Sequence, residues 1–217
     1  ALLGQPLKLT AYAADKVAAP GKPGELLVCA HRLAEACIPG QLNKANSAYV
    51  LATIERAARG CLTGEFDAML TAPVQKSVIA ETGINFIGHT EYLAEICSAE
   101  LPVMLLCADS LRVALLTTHL ALADVPRHIS AARVDATCRI LAKDLHRLFG
   151  IDKPRIAVLG LNPHAGEAGQ LGREEQDSIE PALKGLRLAG IDVRGPLPAD
   201  SAFAPDALKQ CDAVLAM

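Results

Sequence analysis

The chain has 217 residues, is 51% hydrophobic and carries a net charge of −3, which suits one large or two small globular domains with a proper core. The slightly acidic balance and the lack of any Lys/Arg block argue against a nucleic-acid or membrane-surface binder. No apolar run approaches the ~20 residues that a spanning helix needs.

The opening stretch, residues 1–14, lacks a basic leader and is interrupted by Gln5, Pro6 and Lys8, so it does not read as a secretory signal. Residues 1–43 show little periodicity and carry the loop signal Pro20-Gly21-Lys22-Pro23-Gly24. From Lys44 to Gly60, Ala45, Ala48, Tyr49, Ala52, Ile54 and Ala58 fall near helical spacing, and Gly60 is a stop signal. Residues 66–70 predict a short strand ending in Thr71-Ala72-Pro73, and residues 74–81 a small helix. A further helix is expected over 90–97 with Thr90 as its N-cap.

Strands at 103–107 and 112–118 flank a turn at 108–111, and the chain turns again at Asp124-Val125-Pro126. Residues 130–149 form a long amphipathic pattern with Val134, Ile140, Leu141, Leu145 and Leu148 inward. A strand at 156–159 leads through GLNPHAGEAGQLGREEQ into a helix over about 173–188. A last β-α piece passes through Val193 and Gly195-Pro196-Leu197-Pro198 to a helix near 206–210, and Ala213–Met217 reads as an unfinished core strand. Short apolar strands alternating with helices predict an α/β fold with a largely parallel sheet. The initial Ala and the final apolar run suggest a piece of a longer chain. Seven scattered cysteines without a CxxC read as buried free thiols in a reducing cytoplasm.

In such a sheet, ligands bind beyond the carboxyl ends of the strands. His119 and His164 each follow a predicted strand, so two imidazoles can converge on a divalent cation such as Zn²⁺, which would polarise a substrate oxygen. His89 and Thr90 open a helix, where either an anion or hydroxyl contact or a plain cap is served. His31, His128 and His146 sit in loop or helix-surface contexts. No GxGxxG or P-loop occurs; Gly166, Gly169 and Gly172 offer either an anion-binding loop or a flexible turn capped by Glu174 and Glu175. Lys76 stands near a helix start against the macrodipole, and Asp200 follows a Pro-rich loop where it can be a catalytic or supporting carboxylate.

GHTEYLAE, LRVALLTTHLAL, LNPHAGEAGQLGREE and GPLPAD, in this order, resemble the 4-hydroxythreonine-4-phosphate dehydrogenase family of pyridoxal phosphate biosynthesis, with similarity from about Leu42 onward. The resemblance implies two α/β/α subdomains with a cleft between them, like isocitrate and isopropylmalate dehydrogenases, divided here near residues 88/89. It implies cytoplasmic homodimers with a shared active site, a phosphorylated hydroxy-amino acid substrate, NAD or NADP, and a divalent metal (Zn, Mg or Co). Carried over, His119 and His164 are two of three metal ligands, His89 and Thr90 contact substrate, and Lys76 and Asp200 border the catalytic centre. Read with the other motifs, the glycines give a ligand room to approach, and Glu174 and Glu175 are helix-start residues.

The family's third metal histidine belongs to a Tyr-His-Asp-Gln segment expected directly after Met217. Residues 1–217 alone are therefore expected to be inactive or nearly so. A paralogue acting on a phospho-threonate or phospho-erythronate, and a non-catalytic metal- or phosphate-binding fragment, are the alternative readings.

Overall fold

The computed structural model describes residues 4, 6–15 and 20–217. Residues 1–3, 5 and 16–19, where part of the reading of the opening stretch falls, lie outside the described residues. The chain divides into two compact units, Ala1–Pro102 and Val103–Met217, where the expected subdomain boundary was 88/89. Among the described residues no helix is long and apolar enough to cross a membrane.

In the first unit, β1 (Lys8–Ala11) and β2 (Glu25–Val28) form a parallel pair, Lys8 opposite Glu25. Sequence reasoning found no strands here, because both are exposed along their whole length and show no inward-outward alternation. Asn43 caps a short 3₁₀ turn, Lys44–Asn46, that runs into α1 (Ser47–Leu62). The helix turns Leu51, Ile54 and Ala58 inward, the spacing of one helical face. With α2 (Lys76–Ala80) and α3 (His89–Ile96), it surrounds a small core of Leu51, Ile79 and Phe86.

The strand expected at 66–70 does not form. Phe66 is instead seated over Gly60, where a Cβ would collide with its ring. Arg56 stacks 4.9 Å above it and Tyr12 meets it edge-on at 5.6 Å. Beyond it, Leu70 is 99% exposed, so this apolar run buries too little to be held as a strand.

The second unit is built on a five-stranded sheet: β3 (Met104–Ala108), β4 (Leu111–Leu115), β5 (Arg155–Leu159), β6 (Asp192–Leu197) and β7 (Ala213–Ala216). The order is β3-β4-β7-β5-β6, parallel except for β3, which pairs antiparallel with β4. The final apolar run thus occupies the middle of the sheet. Its uninterrupted hydrophobicity follows from burial on both faces.

Helix α4 (Ala131–Phe149) starts on Ser130, whose hydroxyl accepts from Arg133 N–H, and stops at Gly150 with a left-handed φ of 67°. It packs Val134, Cys138, Leu141 and Leu145 against one sheet face with Leu183 and Leu186 of α5 (Glu180–Leu188). Of the residues expected inward, Ile140 is only half-buried and Leu148, in the last turn, is 62% exposed.

The single helix expected over 173–188 is split, its first part, Glu175–Ile179, being a π-helical turn. Pro181 has no N–H for a regular i→i−4 bond and so favours such a break. The other sheet face carries α6 (Ala199–Ala202) and α7 (Pro205–Leu208) over Ala157, Leu159 and Val214. Arg155 and Asp212 tie the amino ends of β5 and β7 together with four hydrogen bonds of 2.8–3.1 Å, three of them to the Asp212 carboxylate.

The cysteines are free, as expected, but only Cys138 is buried, while Cys29, Cys37, Cys97 and Cys107 are exposed. The idea of seven buried thiols therefore fails. A scattered cysteine is not in itself a core residue.

Candidate active site

Strands β4, β7 and β5 run side by side in one direction, so the segments that follow them leave the sheet at a common edge. The β4–β7 pairing runs on past both strands: Leu116 N–H donates to the Ala216 carbonyl at 2.8 Å, and the Thr117 hydroxyl reaches the Met217 carbonyl. His119 comes next, exposed and with a left-handed φ of 56°. His164 follows β5 at the same edge, also exposed and left-handed at φ 52°. Two strand spacings, about 10 Å, separate the two strands, and the end of β7 lies between them.

His164 does not stand in a simple turn. From His164 to Ala168 every residue is left-handed, with φ between 42° and 82°. Such a conformation costs roughly 1–2 kcal/mol at each non-glycine position and is uncommon as a run. Glu175 holds it. Its Oε1 accepts from the Asn162 backbone N–H at 2.8 Å and its Oε2 from the Asn162 side-chain amide at 2.9 Å. The same amide donates to Glu174 Oε2 at 2.7 Å. Glu175 is 2% exposed. Burial pushes its pKa up, but hydrogen bonds from Asn162 and from the Glu175 and Leu161 backbone together outweigh this and leave it below the usual value.

One reading of this loop is corrected and one extended. Gly166 combines a φ of 82° with a position where a Cβ would press on Glu175, and a Cβ on Gly172 would collide with the Asn162 amide. These glycines serve the packing of the loop on its own carboxylate rather than the approach of a ligand. Glu175 does stand at a helix start, as the first residue of the π-helical turn, and is in addition buried against the loop.

His164 and Asp200 are brought together. His164 Nδ1 lies 3.2 Å from Asp200 Oδ2, Asp200 being in the first turn of α6. A carboxylate this close to Nδ1 favours the tautomer protonated there and leaves Nε2 as the lone-pair nitrogen, the arrangement in which histidines ligate metals. Among the described residues no group of three His, Cys, Asp or Glu side chains is placed to hold a metal. A pair of imidazoles fits a cation that accepts nitrogen, Zn²⁺ or Co²⁺, better than Mg²⁺, which prefers oxygen.

In the first unit, α3 begins at His89 after Gly88, so Thr90 lies inside the helix and is not its N-cap. His89 meets Phe86 edge-on at 6.1 Å and lines an open cavity of about 320 Å³ with Thr53, Ile54 and Met69–Val74. Its Nε2 is buried without a hydrogen-bond partner, a costly state unless a ligand satisfies it. Lys76, the first residue of α2, brings its Nζ to 3.2 Å from where a Gly88 Cβ would stand, and Glu91 Oε2 comes to 3.1 Å from that point. Gly88 therefore lets a cation and a carboxylate approach the backbone just before His89. His128 and His146 are accounted for by backbone carbonyls, their Nδ1 atoms lying 3.0 and 3.3 Å from the oxygens of Asp124 and Ile151.

The family model for pyridoxal phosphate biosynthetic protein PdxA matches residues 1–217. The chain belongs to this family. Among relatives of the PdxA family, the 4-hydroxythreonine-4-phosphate dehydrogenase of Pseudomonas putida is 57% identical over 198 residues, covering 91% of this chain and 60% of the relative. That of Methylococcus capsulatus is 53% identical over 216 residues, covering 100% of the chain and 65% of the relative.

Solved structures agree. A 4-hydroxythreonine-4-phosphate dehydrogenase from Klebsiella pneumoniae superposes with a TM-score of 0.88 at 30% identity, covering 98% of this chain and 64% of that one. One from Burkholderia phymatum gives 0.83 at 34% identity, with 99% and 65% covered. The fold is thus the isocitrate/isopropylmalate dehydrogenase-like α/β fold of PdxA proteins. The chain spans about three fifths of the length of the curated relatives it matches.

Within this PdxA-family chain, sequence reasoning missed Asn162 and Glu175 as a unit. The available signal was an acidic residue inside a motif otherwise rich in Gly and Ala. Nothing in its spacing distinguishes a helix-start glutamate from a buried acceptor thirteen residues from its donor.

Proposed function

We propose that this chain carries part of the catalytic apparatus of an NAD(P)- and divalent-metal-dependent 4-hydroxythreonine-4-phosphate dehydrogenase. The reaction would oxidise the secondary alcohol of 4-phosphooxy-threonine, giving a β-keto acid and NAD(P)H. Loss of CO₂ from that acid yields 3-amino-2-oxopropyl phosphate. The observation that carries the reading is His164 held by Asp200 at the sheet edge that also presents His119. PdxA-family membership and the names of the close relatives support the substrate.

His119 and His164 are the residues that would hold the cation, and any residue following Met217 would emerge from β7 between them. A divalent cation held there would supply Lewis-acid polarisation of the substrate oxygen, and a bound nicotinamide would supply the hydride acceptor. Asp200 keeps the His164 Nδ1 proton in place, so that Nε2 stays a ligand nitrogen. His89, with its unsatisfied Nε2, and Thr90 are proposed to contact substrate, and Lys76 to place a positive charge beside them. A cytoplasmic homodimer with a shared active site completes the proposal and rests on family resemblance alone.

The test is a substrate panel with the full-length protein, following NAD(P)H absorbance with 4-phosphooxy-L-threonine, phospho-threonate and phospho-erythronate. Preference for 4-phosphooxy-L-threonine supports the assignment. Preference for a substrate without the amino group overturns it.

A further inference from the structure

We infer that Glu175, acting through Asn162, is a positioning residue for the metal ligand His164. The inference rests on the proposal that His164 binds the cation. His164 occupies a backbone conformation that L residues avoid, and so do the four residues after it. Gly166 accommodates that state, but Ala165, Glu167 and Ala168 lack the short polar side chains that tolerate it. The turn persists only because something outside it over-determines it.

The buried Glu175 carboxylate is that element. Both of its oxygens are engaged by Asn162, one by the backbone N–H and one by the side-chain amide, at 2.8 and 2.9 Å. Asn162 lies two residues before His164 and is the extended residue from which the chain enters the turn through Pro163. Fixing both donor groups of Asn162 fixes the plane from which the chain enters the left-handed run. Gly160, Gly166 and Gly172 each place their missing Cβ within 3 Å of an atom of Glu175 or Asn162, so the loop is shaped around this pair. Glu175 also opens the π-helical turn, a distortion frequent at functional sites. Asp200 fixes which nitrogen of His164 faces a ligand; Glu175 fixes where the ring stands.

The experiment is a titration of the metal-stripped full-length protein with Co²⁺ alone. Binding and the d–d absorption bands, which report the number and kind of ligands, are followed in wild type, E175Q, N162A and H164A. E175Q puts an N–H₂ against the Asn162 amide. N162A is milder and retains the backbone N–H bond to Glu175. Thermal unfolding of each variant reports its fold.

E175Q is expected to weaken Co²⁺ binding ~10–100-fold and to alter the bands, N162A to do so less, and H164A to do so most. If E175Q does not fold, N162A decides. Affinity and bands in N162A, and in a folded E175Q, that match wild type while H164A loses the ion overturn the role of Glu175 alone. An H164A protein that binds Co²⁺ as wild type does overturns the metal assignment of His164 and this inference with it.

Discussion

His164 Nδ1 and Asp200 Oδ2 are 3.2 Å apart, although the two residues lie thirty-six positions apart in the chain. Both side chains are 58% exposed, so the pair adds little to stability. Its consequence is chemical, because a carboxylate beside Nδ1 favours the imidazole tautomer protonated there. D200A is expected to weaken Zn²⁺ binding by the full-length protein ~10–100-fold with little change in Tm, and D200N to weaken it less. Calorimetric titration checks this, and a D200A affinity equal to wild type refutes it.

Gly166 tests the loop from its other side. G166A forces a Cβ into a left-handed position and against Glu175. The expected cost is about 2–4 kcal/mol, visible as a lowered midpoint in urea unfolding. A midpoint within error of wild type would show that the turn relaxes freely.

Asp212 gives the pH dependence. Hydrogen bonds from the Arg155 side chain hold its pKa below the ordinary 3.8, against the opposing effect of burial. A lowered folded pKa stabilises the protein fully above the unfolded value and is lost as pH falls through the folded one. D212N is therefore expected to cost about 1–3 kcal/mol near neutrality. The gap to wild type should begin to close below about pH 4 as both states of Asp212 become protonated. Tm measured for both proteins from pH 7 to 3 checks this; a gap that widens on acidification contradicts it.

Cys138 is fully buried in the main core, and burial pushes its thiol up to about 12. In the native protein it should resist thiol reagents at pH 8, while the exposed Cys29, Cys37, Cys97 and Cys107 react. Mass mapping after a short alkylation distinguishes them. Labelling of Cys138 at the rate of Cys107 would mean that this core opens.

Where side-chain pattern and burial coincide, the sequence was readable. α4 carries a helical stripe between a serine cap and a glycine stop, and β5 is an apolar run with both faces covered. Residues 66–70 resemble β5 in composition, yet Phe66 found a seat over Gly60 and Leu70 found none. β1 and β2 escaped notice because no buried face imposes alternation on them. Of the candidate site, the placement of His119 and His164 after strands and of Asp200 after a rigid loop was legible. The left-handed run after Pro163 was not, since Ala165 and Glu167 predict the opposite hand. Its cause, the buried Glu175, acts from outside the segment.

The central claim is that His119 and His164 bind a cation required for oxidation of a phosphorylated hydroxy-amino acid. The most direct measurement is NAD(P)H formation from 4-phosphooxy-L-threonine by chelator-treated full-length protein, before and after Zn²⁺ or Co²⁺ is restored, in wild type, H119A and H164A. Turnover is expected to vanish on chelation, to return with metal in wild type, and to stay at least ~100-fold lower in both variants. Metal-independent turnover, or full activity in H119A and H164A, would contradict the account.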